Sequence, residues 1–180
     1  MMRIVGGRLG GRRLAAPPGS GTRPTSDRVR ESLFAMLGPL DGERVLDLYA
    51  GSGALAIEAL SRGAATATLV EQDARTAAVI ERNLSDLGIG ADEARLLTMP
   101  AATALRAART SGDTYHLVFL DPPYRQAAAL GEQLGPVLAE VLAPGGRVVV
   151  ECDRRAVLDL ALPLDRERRY GDTLIRIHCV

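Results

Sequence analysis

Arg44-Val-Leu-Asp47-Leu-Tyr49-Ala-Gly51-Ser52-Gly53 is an apolar run that ends in an acid, an aromatic residue and two closely spaced glycines. The large apolar residues over 44–49 predict a strand, and the glycines predict a turn through which backbone can approach a ligand closely. An alanine-rich stretch over 54–62 follows, halted by Gly63, and reads as a helix. The same alternation runs through the rest of the chain. Strands are predicted at 67–71, 95–98, 115–120 and 147–152. Helices are predicted at 73–87, with Asp73 as N-cap and Gly88 past the end, then up to about Arg109, and over 126–142 ahead of Pro144-Gly145-Gly146. A short helix is expected at 155–162. Two last strands, near 165–170 and 173–179, flank Gly171-Asp172 and predict an antiparallel hairpin at one edge. Seven strands alternating with helices in this way imply an α/β fold, a mostly parallel sheet with helices on both faces.

With 180 residues, 47% apolar and 24% charged, the chain is expected to form one globular domain with a sizeable core. No apolar run approaches the roughly 20 residues that span a bilayer, and Met1-Met-Arg-Ile-Val-Gly-Gly-Arg8 lacks the apolar stretch of a secretory signal. A cytoplasmic protein without a membrane partner is expected. Cys152 and Cys179 lie in apolar segments without metal-ligand spacing, and His116 and His178 have no partner motif, so no metal is expected.

The formal net charge of zero hides a split. Residues 1–30 hold seven Arg against one acid, a net of +6, and residues 31–180 hold fifteen Arg against twenty-one acids, a net of −6. A basic arm on an acidic body suits an anionic partner, and a solvated tail is the competing reading. The arm, residues 1–24, is dense in Gly and Pro, and Ile4-Val5, Leu9 and Leu14 suggest a short hairpin. Residues 25–180 form the body, and the arm is expected to be removable without harm to the site in that body. The body opens on a helix capped by Thr25 or Ser26, with Val29, Leu33, Met36 and Leu37 at helical spacing and an end near Gly38-Pro39.

Two further features carry chemistry. Glu71 ends the second strand of the body, twenty residues after Gly51, where an acid can accept both hydroxyls of an adenosine ribose. A dinucleotide fits that spacing too, but the third glycine of its fingerprint is replaced by Ala56, and Asp47 beside the turn would sit poorly with pyrophosphate. The acid suits a cationic ligand with an amino group, which favours S-adenosylmethionine. Asp121-Pro122-Pro123-Tyr124 follows the strand Tyr115–Leu120. Two prolines fix the backbone and remove two donors, leaving a rigid cup of one carboxylate, free carbonyls and one aromatic face. Such a cup suits a flat, amino-bearing ring. A simple strand-to-loop stop is the plainer alternative.

The combination of Asp47–Gly53, Glu71 and Asp121–Tyr124 resembles the Rossmann-like class I S-adenosylmethionine-dependent methyltransferases. Arg3-Ile-Val-Gly-Gly-Arg8, Gly10-Gly-Arg-Arg-Leu14, Arg23–Phe34 and Tyr170-Gly-Asp-Thr173 resemble the RsmD family in particular, over nearly the whole chain. The resemblance implies methyl transfer to N2 of one guanine, the 966 type, of 16S rRNA in small-subunit ribonucleoprotein, with S-adenosylhomocysteine as product. It implies Asp47, Tyr49, Gly51, Ser52, Gly53, Glu71 and Gln72 as the cofactor site and Asp121, Pro122, Pro123 and Tyr124 as the catalytic set. Where such enzymes often carry Asp or Asn after the third strand, this chain has Thr98-Met99-Pro100-Ala101, which leaves adenine recognition to the Ala101 backbone. Arg3, Arg8, Arg12, Arg13 and Arg23 of the arm, with Arg28 just after it and Arg125 beside the cup, would meet RNA phosphates. A monomer is expected. A DNA adenine-N6 methyltransferase, another RNA or protein amino-group methyltransferase, and a non-catalytic RNA-binding assembly factor remain the alternatives.

Overall fold

The computed structural model describes residues 2–17, 26–122 and 127–180, with side chains from residue 130 in the last stretch. A seven-stranded sheet forms the centre: β3 (Arg44–Asp47), β4 (Thr66–Val70), β5 (Ala94–Leu97), β6 (Tyr115–Leu120), β7 (Leu142–Asp153), β8 (Leu164–Tyr170) and β9 (Thr173–Cys179). Their spatial order is β5-β4-β3-β6-β7-β9-β8. The first five strands in sequence run parallel, and β9 pairs antiparallel with β7 and β8. A two-stranded ribbon of β1 (Met2–Arg3) and β2 (Arg13–Leu14) precedes them. The helices are α1 (Asp27–Leu37), α2 (Ala54–Ser61), α3 (Ala74–Leu87), α4 (Ala101–Ser111) and α5 (Ala127–Val141).

Local chemistry accounts for the boundaries. The Ser26 hydroxyl accepts from the Val29 N–H, and the Asp73 carboxylate accepts from Thr76 N–H at 2.8 Å, so both helices begin on side-chain caps. Gly88 closes α3 in the left-handed conformation. The mostly parallel sheet is covered on both faces, so its central strands bury apolar side chains on both sides. Leu117, Phe119, Val149, Ile175 and Ile177 pack under α1, α2 and α3, while Leu46, Val118, Leu120, Val148 and Val150 pack under the opposite layer.

Two expectations change. Residues 155–162 form no helix. Leu158 and Leu160 are buried while Asp159 and Ala161 are exposed, a period of two, and Pro163 disfavours helical geometry at Leu162. The Leu158 and Leu162 carbonyls are held by Arg176 and His178 of β9. The strand predicted at 147–152 begins earlier, directly after α5, and its register shifts before regular pairing resumes at Arg147.

The arm over residues 2–17 packs on the body. Ile4, Leu9 and Leu14 are buried in the same cluster as α1, α2 and α3. The Glu58 carboxylate, fully buried on α2, accepts from Val5 N–H at 2.7 Å, Gly6 N–H at 2.8 Å and Arg62 Nε at 2.8 Å. Ser61 Oγ accepts from Leu9 N–H and donates to the Gly6 carbonyl. Asn83 of α3 exchanges two bonds with the Ala15 backbone. Removing residues 2–17 would therefore strip partners from three buried polar side chains of the body.

Candidate active site

The carboxyl ends of β3 and β6 lie side by side at the point where the chain reverses its direction of travel across the sheet, from β3-β4-β5 to β6-β7. Such a reversal opens a crevice in an α/β sheet. The loop after β3, residues 48–53, and Asp121-Pro122 after β6 both border it.

Gly53 begins α2 with φ 81°, and a Cβ there would press on Ile57 and Leu69 at 3.1 Å, so the turn requires glycine. Gly51 also has positive φ, but a Cβ would find open space, its nearest neighbour the Tyr49 carbonyl at 4.0 Å. The Glu71 carboxylate joins the loop to the second strand, accepting from Gly51 N–H at 3.1 Å and from Asp73 N–H at 2.9 Å. The open space over Gly51, with a carboxylate beside it, fits an adenosyl ligand. Asp47, 1% exposed, faces inward and is hydrogen-bonded from the backbone of Tyr49 and Ala56. Burial pushes its carboxyl up to about 7, against the effect of those two bonds, and the charge of Glu71 adds to the rise. In this structure Asp47 pins the glycine turn, while Gln72 is exposed and Tyr49 packs partly buried against the apolar layer. Ser52 turns toward the arm: its hydroxyl donates to Met2 Sδ and its carbonyl accepts from Asn83.

Ala101 is the first residue of α4, whose N-terminus has no side-chain cap; the Thr103 and Ala104 N–H groups donate to the Pro100 carbonyl, which leaves those of Ala101 and Ala102 to face a ligand. Met99 packs partly buried against the neighbouring apolar layer. Asp121 is pushed well above the ordinary carboxylate range, first by burial and then by the charges of Glu151 and Asp47. Pro122 is buried. Pro123, Tyr124 and Arg125 lie outside the described residues, as does Arg23.

The arm's cations divide. Arg8 pairs with Glu93, and Arg12 donates to the Asp86 carbonyl, so both are engaged with the body. Arg3 and Arg13 line a groove with Gly11 and Asp27, and Arg13 and Arg28 are exposed. Sequence reasoning passed over Arg30, which is 1% exposed and donates to the Arg3 carbonyl at 2.5 Å and to Asp27 at 2.6 Å. It also passed over Glu58, Asn83 and Glu151. Each stands in line with the buried apolar residues of its helix or strand, as Arg30 does with Leu33, Phe34 and Leu37.

No described helix is long and apolar enough to cross a membrane, and among the described residues no group of three or more His, Cys, Asp or Glu is placed to hold a metal ion.

The fold and this crevice define a class I S-adenosylmethionine-dependent methyltransferase. The model of the family described as "Conserved hypothetical protein 95" matches residues 2–179, and the chain belongs to that family, the RsmD type. The chain is 44% identical over 126 residues to the ribosomal RNA small subunit methyltransferase D of Escherichia coli, covering 69% of this chain and 61% of that protein. It is 38% identical to YlbH of Bacillus subtilis, named as a candidate rRNA methyltransferase, over 98% of both chains. Among solved structures, yhhF from Escherichia coli, named as a candidate methyltransferase, superposes with a TM-score of 0.83 at 38% identity, covering 99% of this chain and 97% of that one.

Proposed function

We propose that the chain methylates N2 of a guanine, the 966 type, in 16S rRNA of the small ribosomal subunit, acting as a cytoplasmic monomer on ribonucleoprotein. The observation that carries this reading is the adjacency of the glycine turn, with Glu71, and Asp121-Pro122 at neighbouring strand ends. The names of the relatives support a ribosomal RNA substrate.

Bound S-adenosylmethionine would supply a methyl group on a sulfonium, a good leaving group. Glu71 would take the ribose hydroxyls, the turn at Gly51 and Gly53 would let backbone approach, and the α4 N-terminus at Ala101 would meet the adenine. The N2 lone pair of guanine is delocalised into the ring, so acceptors at its N–H bonds favour rehybridisation and stabilise the charge that develops. Asp121 and the Pro122 carbonyl would be those acceptors, with Tyr124 stacked on the base and Pro123 stiffening the cup. Orientation of this kind contributes several of the roughly 7–11 kcal/mol open to aligned partners. The target base must be unpaired or flipped. Arg13 and Arg28 would meet phosphates, joined by Arg3, Arg8 and Arg12 as RNA draws them from Asp27, Glu93 and the Asp86 carbonyl, with Arg23 and Arg125 as further candidates.

Asp121→Ala tests the assignment. It should bind S-adenosylmethionine with wild-type heat in a calorimetric titration and lose most turnover on undermethylated subunits. Wild-type turnover would refute the catalytic role, and absence of cofactor binding by the wild-type protein would refute the enzyme.

A further inference from the structure

Glu151 is a charged residue that the fold brings to the crevice and that the reading above does not use. Leu120 of β6 pairs in parallel register with Val150 of β7, so the next residues of the two strands, Asp121 and Glu151, stand side by side. Asp47 is in register with Phe119, two residues before Asp121, and residues two apart share a face. Three carboxyls thus occupy one sheet face at the ends of three adjacent strands. Their neighbours on that face, Phe119, Val149 and Ile175, are buried, and Glu151 itself is 5% exposed.

The charged groups around this position come from several elements. Asp47 of β3 and Glu151 of β7 act on Asp121. Arg30 of α1 is felt by Glu151, Glu58 and Asp27, while its hydrogen bonds go to the Arg3 carbonyl and Asp27. Glu71 acts on Asp47, and the Cys152 thiol lies next along β7. Two neighbouring carboxyls in a buried setting resist double ionisation and bind one proton as a unit.

We propose that Glu151 is a positioning residue for Asp121, the neighbouring carboxyl with which Asp121 shares the proton that the methylated amine releases. The inference rests on the role given to Asp121 above. The amine lone pair forms the bond to the methyl carbon, and the carbon–sulfur bond breaks with its electron pair left on sulfur. The nitrogen, now positive, gives one N–H proton to Asp121. The Asp121–Glu151 pair then holds a single proton and returns it to water. A pair that already carries that proton in the free enzyme cannot accept another readily, so activity should fall as the pair protonates. Burial first, and then the charges of Glu151 and Asp47, raise the proton affinity of Asp121.

The test is the pH profile of kcat/KM on undermethylated small subunits with labelled S-adenosylmethionine, for wild type, Glu151→Gln and Asp121→Asn. Glutamine keeps the size of Glu151 and removes its charge, so the acid limb should move to lower pH by about one unit or more, the scale of strongly interacting sites. An unmoved limb in a folded Glu151→Gln, with Asp121→Asn inactive, overturns the role of Glu151 alone. Asp121→Asn at the wild-type rate overturns the reading beneath it. Should Glu151→Gln not fold, carboxyl carbon NMR of the wild type decides, with the Asp121 signal assigned by its loss in Asp121→Asn. A titration of Asp121 in two linked steps, the mark of a carboxyl sharing its proton with a neighbour, is expected, and a single isolated step overturns the proposal.

Discussion

Glu58→Ala should destabilise the protein severely, because one buried carboxylate holds the arm to α2. It is fully buried and accepts from two arm N–H groups at 2.7 and 2.8 Å and from Arg62 at 2.8 Å. Arg62 in turn stands 5.0 Å over the Phe34 ring, which packs on Phe119 of the sheet. Alanine leaves two backbone donors and a guanidinium without their acceptor. Hydrogen bonds to charged groups contribute about 1.5–3 kcal/mol each, and breaking a buried ion pair costs about 3–5 kcal/mol. The three bonds share one carboxylate and do not add, so a loss of about 4 kcal/mol is expected. In a chain of this size each kcal/mol moves Tm by about 2–4 °C, which predicts a fall of about 8–16 °C. Glu58→Gln keeps one acceptor oxygen and should lose about half as much. Urea denaturation followed by circular dichroism measures both, and hydrogen exchange at Val5, Gly6 and Leu9 should accelerate in the variant. A Glu58→Ala protein within about 1 kcal/mol of wild type, with those amides still protected, would refute the docking of the arm through this residue.

Asp47→Asn should change the pH dependence of stability. The folded state holds the Asp47 proton more tightly than the unfolded chain, so wild-type stability from this group is highest at low pH and declines as pH rises from about 4 through about 7. Asparagine stays neutral, and the variant should therefore gain on wild type over that window in denaturation series at stepped pH. Asn83→Ala removes the Ala15 and Ser52 partners together and should cost about 2–4 kcal/mol in urea denaturation while also weakening cofactor binding in calorimetry. Arg13→Ala should weaken RNA binding at low salt and reduce the slope of log affinity against log salt by about one contact, read by filter binding across a salt series.

Much of the sheet is legible in the sequence because its signals are local. Leu117–Leu120 is an uninterrupted apolar run, and Asp73 and Gly88 bracket α3 by cap chemistry alone. The glycine turn, Glu71 and Asp121 are legible because each follows a readable strand. The arm's docking is not, since Glu58 meets Val5 and Gly6, and Asn83 meets Ala15, across more than fifty residues of chain. Arg30 illustrates the same limit: its charge suggests a surface, yet the Arg3 carbonyl and Asp27 bury it. The segment 155–162 misleads because its leucines fit a helical stripe as well as an alternating one, and contacts with β9 decide between them. Glu151 gains meaning only once the β6–β7 register sets it beside Asp121.

Guanine-N2 transfer is tested most directly by locating the methyl group. The protein would be incubated with methyl-labelled S-adenosylmethionine and, separately, undermethylated small subunits, free ribosomal RNA and DNA, and the labelled nucleotide mapped by mass spectrometry. Label on N2 of a single small-subunit guanine, stronger in ribonucleoprotein than in free RNA and absent from DNA, is the expected result. Label on adenine N6, or none on any substrate by a protein that binds the cofactor, would contradict it.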